Sequence, residues 1–408
     1  MSSYRGLYRG LDGGRGRGSW RAGANLSRAG PPQNLPPPKP LGSTIDSINI
    51  RTLLTEEDAP TIKDVEYVAS YNWISGRSPI ILVPGSPPAW TPPATDLPLK
   101  RDSEDVFRDI NAARYPSYPW EPTFRSLQAM QPHYDLKLVD IVGCGSTIGN
   151  LLRYAGSQPK SFRFDVDVVE DTVFFVRGES SPTELITDLQ GYGHTFPEAY
   201  TTWDSEVGSS CSHQRIIQYE FGGLKFLVRT ETDAYVKEAD AKAPSSVVNT
   251  TSQSSLDEAL GTMAVSSNEV AHDQQLQLKM QGTRIRQDRI FDIKTRASYR
   301  PFDMNDILPR LWLNQTSKFL IAYHQFGLFD KPKVKDIGQE VIQWENGNSA
   351  LLARLHALIK RIVDVIRDSD QQQFEISWDG QGPLRVTTHI GEGWRVLPSD
   401  LLHLWEVS

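Results

Sequence analysis

Two short runs alternate apolar and polar residues, and that alternation constrains the fold more than any other feature of the chain. Phe226–Tyr235 reads FLVRTETDAY and Ile290–Arg296 reads IFDIKTR. A period of two marks a β-strand, because successive side chains of a strand point to opposite faces. Glu231 and Asp233 are therefore expected on one strand face, and Asp292 and Lys294 on another. If the two strands are neighbours, three carboxylates and one ammonium meet on one patch. Hard oxygen donors beside a cation suit a divalent metal, Mg²⁺ or Mn²⁺, and the hydrolysis of a phosphodiester. Either motif alone also occurs on solvated strand faces closed by salt bridges. It is the pair, both on apolar strands, that points to chemistry.

The rest of the chain frames these runs. With 408 residues it can bury a large core. A hydrophobic share of 38% and a mean hydropathy of -0.42 describe a water-facing protein with no membrane-spanning run. The net charge of -7 excludes a generally basic coat for nucleic acid and leaves room for a local basic groove. Two cysteines, Cys144 and Cys211, make no disulfide framework and suit a reducing compartment. Residues 1–45 combine an Arg-Gly segment with a proline-rich stretch and are expected to be disordered. Their Arg-rich, acid-poor start leaves a mitochondrial presequence as the lesser alternative. Residues 46–400 are expected to form one α+β domain, a central mixed sheet flanked by helices. Residues 239–281, polar and rich in Ser and Gln, read as a flexible insertion between the two key strands.

Strands are expected at Asp64–Trp73, Val139–Val142 and Gln214–Tyr219, with hairpins from Phe162–Val169 to Thr172–Arg177 and from Phe374–Trp378 to Leu384–Thr388. Helices are expected at Pro122–Met130, at Ser146–Tyr154 capped by Ser146 or Thr147, at Asp306–Phe319, and at Trp344–Arg367. Glu198 falls in GYGHTFPEAYTTW, a short aromatic-flanked helix that brings a further carboxylate. The loop PGSPPAWTPP reads as a proline-aromatic staple over the core, or as a surface on which bases stack. His194 and His213 lack a companion at metal spacing and read as ordinary hydrogen-bonding residues. No phosphate-binding glycine loop and no dinucleotide fingerprint is present.

Four motifs in order, GHTFPEAY, TETDAY, FDIKTR and WLNQTSKFLIAYHQFG, resemble those of the eukaryotic decapping and 5′-end pyrophosphohydrolase family. That family belongs to the restriction-endonuclease-like PD-(D/E)XK superfamily. The resemblance covers Val139 to Phe329 and implies a nuclease-like core. It implies that Glu198, Glu231, Asp233 and Asp292 hold metal, with the Ile293 carbonyl as a further donor. It casts Lys294 as the group that assists the attacking water, beside Glu231 and Asp233. Gln315, Trp312, His324 and Arg296 fall to the substrate side. RNA, at its 5′ end, is the implied partner, with a 5′–3′ exoribonuclease as a protein partner and the nucleus or cytoplasm as the place.

Two departures stand out. A Trp-Arg-Gly step of the family is Gly143, Cys144 and Gly145 here, and the arginine after the FLIAY-like strand is His324. The metal set looks kept and the substrate set altered. Arg153, Arg163, Lys225 and Arg296 are the cations that could replace the lost one. The alternatives are an RNA-binding or nuclease-partner protein of the same fold with altered catalysis, and a DNA nuclease.

Overall fold

The computed structural model describes residues 40–406, apart from 56–58, 77, 179–180, 188, 238–262, 265–274 and 392–394. Among these, twelve strands form one mixed sheet and seven form a second. The α+β class, with helices flanking a mixed sheet, is as the sequence implies. The helix Ser349–Arg367 repeats Leu352, Leu355, Leu358, Ile359, Ile362, Val363 and Ile366 at spacings of three and four. That apolar stripe closes one face of the larger sheet together with Val166, Val228, Ile376 and Val386. The helix Glu121–Met130 covers the other face, with Phe124 and Leu127 packed on Val142, Phe174 and Leu227. The strands Ile141–Cys144, Leu224–Glu231 and Thr172–Arg177 run parallel at the middle, and antiparallel hairpins extend the sheet outward. Among the described residues no helix is long and apolar enough to cross a membrane.

Several boundaries differ from the sequence expectation. Leu41–Ile48 is an edge strand paired with Leu384–His389, so ordered chain begins before residue 45. Its side chains are mostly exposed, so no apolar run announces it; residues 1–39 lie outside the described set. Gln277–Gln281, inside the expected insertion, pairs parallel with Ile80–Pro84 and carries only Leu278 buried. Met263–Ala264 pairs with it in turn, and the rest of the insertion up to residue 274 is outside the described residues. The helix expected over Trp344–Arg367 is two helices, Gly338–Gly347 and Ser349–Arg367. They break at Asn348, whose side-chain amide donates to the Trp344 carbonyl at 2.8 Å. The helix expected over Asp306–Phe319 holds only Leu308–Leu313, and Gln315 turns the chain at φ +50°. The helix after Ile141–Cys144 starts at Gly145, with no side-chain cap from Ser146 or Thr147.

One difference shapes the site. Phe226–Tyr235 is not one strand. Leu224–Glu231 lies in the larger sheet, and after Thr232 and Asp233 the chain enters the second sheet at Ala234–Tyr235. There Ala234 pairs with Phe291 and Tyr235 with Ile290, and Ile290–Ala297 runs parallel to Lys318–Gln325.

Because Ile362 is fully buried under the larger sheet, Ile362→Ala should lower stability by about 2–5 kcal/mol. Leu54→Ala, at a side chain left 93% exposed, should change it by no more than about 0.5 kcal/mol. Chemical denaturation of both variants checks this.

Candidate active site

The joint between the sheets is where the acids gather. Asp233 is buried, and its Oδ2 accepts the backbone N–H of Ile293 at 2.6 Å. That bond sets the DxK strand beside the end of the ExD segment. Phe291 and Ile293 point into an apolar cluster with Phe196, Leu320, Ala322 and Phe329. Asp292 and Lys294 therefore face the opposite way, as their spacing requires. Asp292 is 4% exposed, and its Oδ2 accepts from Arg310 Nη2 at 2.6 Å. Arg310 comes from the short helix Leu308–Leu313, whose Leu311 and Trp312 anchor it in the core. An isolated buried carboxylate is costly, and Arg310 supplies the charge that offsets it.

Glu198 sits exposed on the helix Thr195–Tyr200. That helix has no cap of its own. Asp102, from a distant segment, accepts the backbone N–H groups of Gly193, His194 and Thr195 at 2.6, 3.1 and 3.0 Å. Phe196 and Tyr200 seat the helix on the Phe291 and Ile293 face. Glu198 is thus based on the other side of this strand from Asp292. Glu231 ends the strand of the larger sheet opposite Gln214, and the next N–H, that of Thr232, still donates to the His213 carbonyl at 3.0 Å.

Glu231, Asp233 and Asp292 come from the segments that meet at this joint, and Glu198 from the helix packed on the second of them. Among the described residues no three His, Cys, Asp or Glu side chains stand together closely enough to hold a metal ion. Asp233 accepts a backbone N–H and Asp292 a guanidinium. The donor chemistry itself, hard carboxylate oxygens beside the Ile293 backbone, suits Mg²⁺ or Mn²⁺. Arg310 marks the place where the buried acid demands positive charge.

The residues expected on the substrate side divide. Trp312 is 2% exposed and its indole N–H donates to Glu345 Oε1 at 2.7 Å, so it is a core residue and no substrate surface. Gln315 is half-buried in the positive-φ turn, with its Nε2 on the Trp312 carbonyl at 2.5 Å. His324 is half-buried against Tyr192 and Phe329, and burial, aided by Arg101, holds its imidazole below the ordinary range. Arg296 donates to the Pro301 carbonyl at 2.8 Å. Where the family has its arginine, Cys144 Sγ lies 3.2 Å from Ser146 Oγ and 2.9 Å from Thr147 Oγ1. Gly145 packs so closely on Asn314 that an added Cβ would stand 2.4 Å from its Oδ1, so a larger residue would have to displace that amide. Of the expected replacement cations, Arg153 bonds Asn150 and Arg163 pairs with Glu375. Trp90 of the proline-rich loop stacks on Tyr200 and meets Phe291 edge-on, as a staple over the core.

His213 is structural. Asn72 donates through Nδ2 to Ser86 and Ser210, so its Oδ1 must accept, and His213 Nδ1 donates to it at 2.6 Å. Nε2 then carries a buried lone pair with no partner. Burial first, and Arg215 beside it, hold this imidazole well below the ordinary range. Sequence reasoning missed Asp102 and Arg310. Neither lies in a motif, and each acts on a residue far from it in the chain.

The sequence matches the profile of a family described as "Domain of unknown function (DUF8563)" over residues 49–378. Among proteins with curated descriptions, none matches the chain in sequence. Solved structures share the fold. Rai1 from S. pombe aligns with a TM-score of 0.54 at 11% identity, over 85% of this chain and 99% of that one. Scheffersomyces stipitis Rai1, in complex with (3′-NADP)+ and calcium ion, gives 0.55 at 10% identity, over 90% and 99%. Candida albicans Rai1, in complex with pU5-Mn2+, gives 0.51 at 9% identity, over 88% and 98%. At such identities the likeness is one of fold, and it is the fold that the motif resemblance implied.

Arg310→Ala leaves Asp292 buried without its counter-charge. In chelator it should cost about 2–4 kcal/mol, less than a fully buried pair because Arg310 is itself 32% exposed. Excess Mn²⁺ should recover more stability in this variant than in the parent, read by thermal melting. A second expectation concerns acid. His213 and His324 are held neutral in the fold, so below about pH 6.5 the unfolded chain takes up protons that the folded one refuses. Stability should be level above that pH and fall as the pH drops through it, and His213→Asn should flatten part of the fall in denaturation curves.

Proposed function

The chain belongs to the DUF8563 family, whose description assigns no function, and from the site we propose that it is a divalent-metal-dependent hydrolase acting at the 5′ end of RNA. One observation carries this reading. The Asp233 carboxylate on the Ile293 N–H joins an ExD segment to a DxK strand at the meeting of two sheets. The Rai1 fold supports it, as does the presence of pU5 and Mn²⁺ in the C. albicans Rai1 structure.

Asp233, Asp292 and the Ile293 carbonyl are the groups that would hold an ion, with Glu231 and Glu198 as further donors. When bound, a divalent ion lowers the pKa of a water and offsets charge on the phosphate. The chain's own groups do the rest. Lys294, on the Asp292 face, orients the water and takes or offsets its proton. Gln315, held in a fixed turn, presents its amide to the RNA strand. His324 and Arg296 lie further along the same two strands, side by side in register with Ala297 and Tyr323. The loss of an arginine at Cys144 points to a 5′-end preference different from that of chains that keep it.

A second reading is favoured by one specific contact. Arg310 on Asp292 already neutralises the acid, as in a protein that keeps the fold to bind RNA without cutting it.

RNAs bearing a 5′ monophosphate, triphosphate or cap, incubated with Mg²⁺ or Mn²⁺, decide between the two. Turnover of at least one substrate is expected, with a loss of about two orders of magnitude or more in Asp233→Ala and in Lys294→Ala. RNA binding with equal background turnover in all three proteins would leave the binding reading standing and the hydrolase reading refuted.

A further inference from the structure

Arg215 is a buried charge that no acid answers. It lies on the strand Ser210–Phe221 and is fully buried. Its Nε donates to Gln287 Oε1 at 2.7 Å, its Nη2 to the Ile285 carbonyl, and its Nη1 has no partner. Burial pulls the group down to about 10, which leaves it charged at neutral pH. Among the described residues no carboxylate pairs with it; the groups that act on it electrostatically are Tyr67 and a second cation, Arg284.

The two guanidiniums share one ring. Arg215 stands 3.8 Å and Arg284 4.7 Å from the Tyr67 centroid, and Arg284 Nη2 donates to the Tyr67 carbonyl at 2.6 Å. The ring face attracts each cation, but the two repel one another. A pocket of about 440 Å³ opens beside them, lined by Tyr67, Arg284, Arg286, Gln287 and Asp288. Its one acid is taken: Asp288 is held in bidentate fashion by Arg286, at 3.0 and 2.9 Å. The buried charge on Arg215 is therefore left for something outside the chain, because buried charge persists only where it is paired, and the exposed Arg284 beside it is the group that can reach that partner.

The pocket adjoins the candidate active site. Gln287 passes from Arg215 to the carbonyls of Asn314 and Gln315, to which its Nε2 donates at 3.3 and 2.9 Å. Across the sheet, Arg215 pairs with Thr230 and Gln214 with Glu231.

We propose that this pocket binds a phosphate of the RNA strand, with Arg284 contacting the anion and Arg215 beneath it supplying a fixed positive field. The choice of RNA rests on the function proposed above; the demand for an anion does not. Arg284 reaches solvent and can turn its free donors to the phosphate, while Gln287 holds Arg215 in place from the side.

The test is made in the Lys294→Ala protein, which keeps the Asp233 tie to Ile293, so that binding is read without turnover. The probes are a short 5′-phosphorylated oligoribonucleotide, followed by fluorescence anisotropy, and inorganic phosphate, followed by thermal melting. Adding Arg284→Ala should weaken RNA binding about tenfold and reduce the salt slope by about one. Adding Asp288→Asn, which removes the pocket's acid, should tighten RNA binding. Phosphate should raise the melting temperature of the parent and not that of the Arg284→Ala protein. Unchanged RNA affinity in Arg284→Ala overturns the inference. Protection by phosphate with no effect of Arg284 on RNA overturns the RNA assignment in favour of a free-phosphate site. A failure of the hydrolase reading shows separately, as absent turnover in the wild-type protein, and leaves these binding measurements intact.

Discussion

Asp233 sits where the chain changes sheets, and its carboxylate takes the backbone N–H of Ile293. The geometry of the site depends on that bond. Of the two residues between Glu231 and Ala234, Thr232 is held on the first sheet by its N–H on the His213 carbonyl, and Asp233 reaches across to the second. The end of the Leu224–Glu231 strand is thereby tied to the middle of Ile290–Ala297, 60 residues away. A carboxylate is a good tie because it accepts in a charge-assisted bond and is pre-oriented by its short side chain. The same bond consumes part of the metal-binding capacity that the ExD spacing suggests.

Charge is distributed around this joint in an unusual way. Asp292 is deeply buried and is met by a side chain from another helix, Arg310. Arg215 is buried and is met by no acid at all, with Arg284 adding to the excess. A chain of overall charge -7 therefore concentrates uncompensated positive charge within a few residues of its acids. That pattern suits an anionic polymer that must be held beside carboxylates, since the cations offset the repulsion the acids would otherwise exert. The helix carrying Glu198 is fixed by a third acid, Asp102, which binds three backbone N–H groups and serves the fold.

Much of the architecture was legible in the sequence. The hairpin of Phe162–Val169 and Thr172–Arg177 falls where alternation places it, since both strands are packed on their faces and their patterns are strong. The helix packed under the larger sheet is legible for the same reason, apart from the break at Asn348. The edge strands Leu41–Ile48 and Gln277–Gln281 were not, because an edge is held by backbone pairing and its side chains need carry no pattern. The helix after Asp306 was overextended because periodicity cannot see the positive-φ turn at Gln315.

The sequence by itself determined which residues alternate, and hence that Asp292 and Lys294 share a face while Ile293 is core. That follows from the pleat of a single strand and needs no partner. Only the tertiary structure decided that the chain changes sheets just after Glu231, that the helix carrying Glu198 packs on the Ile293 side of its strand, and that Trp312 is packed inside. It also decided that Arg310 answers Asp292 and that Arg215 goes unanswered. Those facts depend on which segments meet in space, and charges far apart in the chain leave no periodicity by which their meeting could be read.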